Sequence, residues 1–125
     1  MNKFNIATAT FQGPLETLLN LIEERKLSIS EISLGEVCDA YLVYVEKLPE
    51  LPLGETAQFI LVASTLLLIK SRTLLPTLSL SEEERESVVE LERRLARYAL
   101  IRKTAKLLRR EWGRAPLLQI GRAHV

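Results

Sequence analysis

Cysteine, histidine and tryptophan each occur once in this 125-residue chain, as Cys38, His124 and Trp112. A lone cysteine excludes an internal disulfide and a cysteine-based zinc site; its natural place is a small buried hydrophobe in a reducing compartment. His124, next to the last residue, has no second histidine to work with, so neither a metal centre nor histidine general-base catalysis is expected. Net charge is also scarce. The 17 Lys and Arg against 16 Asp and Glu leave +1, too little for a global field toward nucleic acid or a membrane, and electrostatic arguments become local. No glycine-rich phosphate loop occurs, since Gly13 and Gly54 stand isolated at helix boundaries. Residues 1–12 lack the basic start and apolar stretch of a signal peptide, so a cytoplasmic location is expected.

What remains is ordinary soluble composition, 47% apolar and 26% charged, in a chain long enough to bury roughly two thirds of its unfolded surface. Ile6, Thr8 and Thr10 alternate within residues 4–11, but no other segment offers a strand partner, and a short extended arm is predicted. Gly13-Pro14 opens a helix to about Arg25, with Leu15, Leu18, Leu19 and Ile22 on one stripe. Capping-box spacings at Ser28 with Glu31 and at Ser33 with Glu36 predict a short turn, then a helix from about Leu34 to Leu48 that Pro49 and Pro52 stop. A rigid loop should then run to Gly54.

The third predicted helix, from about Thr56 to Leu75, is the informative one. Between Phe59 and Ile69 only Ser64 and Thr65 interrupt an apolar run, so the helix is hydrophobic on all sides and needs cover on most of its circumference. A membrane span needs about 20 apolar residues, and the run up to Lys70 is about half that. Two short amphipathic helices can cover one side, leaving apolar surface for another chain unless the fourth helix folds back and completes the core. That fourth helix is predicted from a Ser81 and Glu84 cap to Trp112. Its glutamates lead and its arginines and lysines follow, in the sense the helix dipole favours. Leu91, Leu95, Tyr98, Ile101, Leu108 and Trp112 step along it as a docking seam.

The run Glu82 to Glu86 lacks the interleaved glycine or asparagine of a calcium loop and reads as a solvated helix start. No catalytic constellation is present, and no cofactor is implied. The basic stretch Arg93 to Arg110 supports an alternative reading, a helical nucleic-acid-binding regulator, against the blander view of a solvated face.

Four segments in this order resemble a known family: Phe11-Gln12-Gly13-Pro14-Leu15 continuing to Ile22, Ser30-Glu31-Ile32, Tyr41 to Tyr44, and Phe59 through Ile69-Lys70-Ser71-Arg72 to Pro76. Together they are similar to ScpA, the segregation and condensation protein A family of bacterial kleisins, over about residues 4 to 112. Glu16 stands where the family usually has aspartate, which keeps the charge near a helix start. The resemblance implies a non-catalytic subunit whose N-terminal helical domain packs on the coiled-coil neck of an SMC ATPase. It further implies that a middle segment binds a ScpB dimer, and that a C-terminal winged helix caps the other SMC head. DNA would be reached only through the complex, near the nucleoid, with no membrane or small-molecule substrate.

The expected fold is therefore all-α: a three-helix bundle with a long fourth helix that projects or folds back. Residues 1–76 form the SMC-binding domain, 77–81 a linker, 82–113 the long helix opening the middle region, and 114–125 a tail. Ile60, Ala63, Leu67, Lys70, Ser71 and Leu74 are expected to meet SMC, and the seam on the long helix to meet ScpB or its own domain. No room is left for a winged helix before Val125. Residues 120–125 can be encoded by ATC-GGA-AGA-GCA-CAC-GTC, which reads like a sequencing adapter, so these last residues are expected to be an artefact and the natural protein to continue. A natural stop codon after Val125 in an independently assembled genome would defeat that expectation.

Overall fold

A computed structural model describes residues 12–112, and among these it has five helices and no strand. The helices are α1 (Pro14–Glu24), α2 (Glu31–Glu36), α3 (Cys38–Glu46), α4 (Leu53–Leu74) and α5 (Glu82–Trp112). The fold is all-α. The extended arm expected over residues 4–11 and the tail of 114–125 lie outside the described residues.

Pro14 occupies the first position of α1 after an extended Gly13, and the Thr17 hydroxyl donates to the Gly13 carbonyl at 2.8 Å. Proline costs nothing there, because the first amides have no helical acceptor. The helix ends where Lys26 adopts a left-handed backbone (φ 56°), which lets the Leu27 amide reach the Ile22 carbonyl at 3.0 Å. A glycine usually makes that turn, so nothing in the sequence marked it.

The second expected helix is split, and its caps differ from those the spacing suggested. Ser30 is the N-cap of α2, accepting from the Ser33 amide at 3.2 Å, while Ser33 itself lies buried inside the helix. Burial decides this register: starting at Glu31 turns Ser33, Leu34 and Val37 inward together. Val37 then leaves helical geometry (φ −93°, ψ 3°), and the bend carries Cys38 and Tyr41 into the core. Tyr41 donates its hydroxyl to the Phe59 carbonyl at 3.0 Å, and its ring lies 6.3 Å from that of Phe59. Burial pushes both the Tyr41 phenol and the Cys38 thiol above their ordinary pKa; beside Cys38 the Asp39 charge adds to this and Lys70 opposes it.

α4 starts at Leu53, three residues before the expected Thr56, because Pro52 presents its carbonyl to the Glu55 and Thr56 amides at 3.0 Å each. It is the axis of the domain: α2, α3 and α5 all pack on it, while α1 bridges to α5. Phe59, Val62, Leu66 and Ile69 form its inner stripe.

The Ser81 and Glu84 cap forms as predicted. The Glu84 amide donates to Ser81 Oγ at 3.1 Å, and the Ser81 amide donates to Glu84 Oε1 at 2.9 Å. Ser81→Ala is expected to cost about 1 kcal/mol. That corresponds to a fall of about 4–8 °C in melting temperature for a domain of this size, readable by thermal circular dichroism. From this cap α5 runs 31 residues, about 47 Å. It does both things the sequence left open. Its first half folds back, burying Val88, Leu91 and Leu95, and its second half projects with every residue from 103 to 112 exposed.

Candidate protein-protein interface

Opposite its inner stripe, α4 presents a second, exposed one. Ala57, Ile60, Ser64, Leu67, Ser71 and Leu74 are all exposed and step by three and four residues. This is the spacing of the two inward positions of a heptad, on a helix whose other side already belongs to a core. The three aliphatic members are 53%, 48% and 67% exposed in chain order. Small residues alternate with them, which lets another helix approach closely while the large ones act as knobs. Ser64 Oγ donates to the Ile60 carbonyl at 3.0 Å, which meets its polar demand within the helix. Thr65 and Thr73 likewise donate to the carbonyls of Leu61 and Ile69, four residues back.

Of the residues singled out from the sequence, Ile60, Leu67, Ser71 and Leu74 lie on this seam, whereas Ala63 and Lys70 border it half-buried. Lys70 is held by α3, with Nζ 2.7 Å from both carboxylate oxygens of Asp39, and that hydrogen bond raises its pKa. Arg72 approaches Glu31 at 3.6 Å. The Lys70-Ser71-Arg72 stretch thus anchors the end of α4 to α2 and α3 through its charges and offers Ser71 outward. Ala57 and Ser64 were missed. Their spacing was visible, but small residues in a leucine-rich run read as interruptions and not as the holes of a seam.

By length and composition α4 also qualifies as a membrane span, the one helix among the described residues that does, with 22 residues and an 18-residue stretch of mean hydropathy 1.4. The run from Phe59 to Ile69 itself remains about half the length of a span. What assigns the helix to a packed domain is its inner stripe: Phe59, Leu66 and Ile69 are sealed between α2, α3 and α5, and the core does not exist without them.

On α5 the expected seam divides. Leu91 and Leu95 are buried in the home core and Tyr98 is half-buried at its edge, while Ile101, Leu108 and Trp112 are exposed. At 3.6 residues per turn the apolar line shifts by roughly a quarter turn beyond Tyr98, so the outer three face a different side from the docked three. Arg102 clamps the point of departure, donating to Glu23 Oε1 at 2.7 Å and to Asn20 Oδ1 at 2.8 Å on α1. Beside it the Tyr98 phenol is pushed up by burial first and then by the Glu16 charge, with Arg102 opposing. No group of three or more His, Cys, Asp or Glu that could hold a metal occurs among the described residues.

The sequence model of the family described as Segregation and condensation protein ScpA matches residues 21–118. Among curated proteins, the chain is similar to Segregation and condensation protein A of Myxococcus xanthus, at 35% identity over 119 residues, covering 86% of this chain and 41% of that protein. The same protein of Clostridium perfringens is 37% identical over 106 residues, 83% of this chain and 43% of that one. Its counterpart in Clostridium tetani is 45% identical over 82 residues, 66% and 32% respectively. The chain thus spans less than half the length of these relatives. No solved structure matches it. With the family pattern covering most of its length, the chain belongs to the segregation and condensation protein A (ScpA) family.

Proposed function

We propose that this chain is the N-terminal, non-catalytic part of a kleisin that serves chromosome condensation and segregation in the cytoplasm, at the nucleoid. It does so by fastening an SMC ATPase through α4 and a ScpB dimer through the outer half of α5. The observation that carries the reading is the exposed six-position seam on α4. The names of the relatives support the cellular process, and the heptad spacing of the seam supports a helical partner such as a coiled coil.

Magnitudes favour a partner larger than one helix. Ile60 and Leu67 are about half covered already and Leu74 about a third, so sealing them yields on the order of 1 kcal/mol apiece, while association costs at least about 4 kcal/mol in lost freedom. The seam alone does not close that gap. Leu53 in the first turn of α4, Leu61 further along it and Leu75 just past its end are also more than half exposed. Covering all six takes two neighbouring helices, which the neck of an antiparallel coiled coil provides.

Mixing the purified chain with an SMC head-and-neck fragment is expected to give a single co-eluting species in size-exclusion chromatography. Separate elution of two folded proteins would overturn the reading. Separate elution together with strong, salt-sensitive DNA binding would favour the nucleic-acid regulator instead.

A further inference from the structure

The outer half of α5 has a one-sided array of cations. Past Tyr98 the face that seats the helix on the domain continues as Arg102, Lys106 and Arg109, bordered by Lys103 and Arg110. Between residues 102 and 110 no apolar side chain falls within that arc. Arg102 is engaged by Glu23 and Asn20. Among the described residues the other four cations have no hydrogen-bond or ion-pair partner, and all four are exposed.

Helix electrostatics does not account for them. The dipole favours cations in the last turn only, which explains Arg109 and Arg110 but not Lys103 or Lys106. A solvated helix commonly sets opposite charges three or four residues apart. Here Lys106 has Arg102 and Lys103 behind it and Arg109 and Arg110 ahead, all like charges at those spacings. Between residues 93 and 112 eight basic side chains face Glu111 as the only acid. A polyanion relieves that repulsion. A protein occupant suits the arc poorly, because interface cores are depleted in lysine and rely on aromatic or aliphatic anchors. The helix's own anchors, Ile101, Leu108 and Trp112, lie on another side.

We infer that this arc contacts the phosphate backbone of double-stranded DNA without reading bases. This goes beyond the indirect contact that the family resemblance implies, and it rests on which cations are engaged and which have no partner among the described residues. Lys103 to Arg110 covers about 10 Å of helix axis, along which a duplex presents one phosphate charge per about 1.7 Å. Charge supply does not limit the contact. It leaves the α4 seam untouched, so one chain can hold an SMC neck and a duplex together.

Fluorescence anisotropy of the whole chain with a short labelled duplex of mixed sequence tests this. With four phosphates neutralised, affinity is expected to fall on the order of a hundredfold between about 50 and 200 mM KCl. Combining Lys103→Gln, Lys106→Gln, Arg109→Gln and Arg110→Gln should remove most of that binding and flatten its salt dependence. The control pair Lys47→Gln and Arg85→Gln, exposed cations elsewhere, should change it little, and Leu67→Glu on the α4 seam should leave it intact. The four arc residues are exposed, and circular dichroism checks that the variants fold. Absence of duplex binding at the low salt concentration would overturn the proposal, as would binding indifferent to the quadruple change. So would tighter binding to vesicles of equal phosphatidylglycerol and phosphatidylcholine than to the duplex.

Discussion

Leu67→Glu is expected to abolish association with an SMC neck while leaving the isolated chain folded. Leu67 is 48% exposed and sits mid-seam between Ser64 and Ser71. In the free domain a glutamate there stays hydrated, but in the complex it would be enclosed among apolar side chains, and the bordering cation, Lys70, is already held by Asp39. An unpaired buried charge costs about 3–5 kcal/mol, more than a hundredfold in Kd. Titration calorimetry against the SMC fragment measures the loss, and unchanged circular dichroism shows that folding is not its cause. Undiminished binding by a folded L67E chain would remove α4 from the interface.

The neighbouring residue should behave in the opposite way. Leu66 is one position earlier, fully buried against the other helices. Leu66→Ala removes most of a packed side chain and leaves a cavity, at a cost of about 2–5 kcal/mol, a large part of the stability of a small domain. Its melting temperature is expected to fall by roughly 10–20 °C or more, with loss of SMC binding following from loss of fold. Leu67→Ala should leave the melting temperature close to that of the parent. Equal destabilisation by the two alanine changes would mean that both sides of α4 are buried in the domain, and the seam would not exist.

Much of this was readable beforehand where the chemistry is local. Pro14 and the Ser81 and Glu84 box mark helix starts through atoms a few residues apart, and both formed where expected. The all-round greasiness of α4 announced a surplus of apolar surface, and the surplus is present. Readings failed where distant residues decide. Ser28, Ser30 and Ser33 all had the chemistry of caps, and only the inward turn of Leu34 and Val37 selects Ser30. The break at Val37 has no proline to mark it, and the nearby Gly35 lies inside α2; what the break does is bring Tyr41 under the Phe59 carbonyl. Lys70 looked available for a partner, yet its carboxylate is on Asp39, 31 residues earlier. The apolar seam from Leu91 to Trp112 on the long helix was visible too. That it divides a docked half from a projecting one required the positions of α1 and α4.

The displacement of the greasy line beyond Tyr98 also separates two kinds of traffic. A visitor gripping the tip of the long rod approaches from its flank, so it need not prise the root of that rod from its seat. Attachment at one end and anchorage at the other are thus geometrically independent, and the rod can act as a lever whose fulcrum is the Arg102 clamp. Arg102, held by Glu23 and Asn20, stands where the exposed tip leaves the body of the domain, outside the core leucines Leu91 and Leu95.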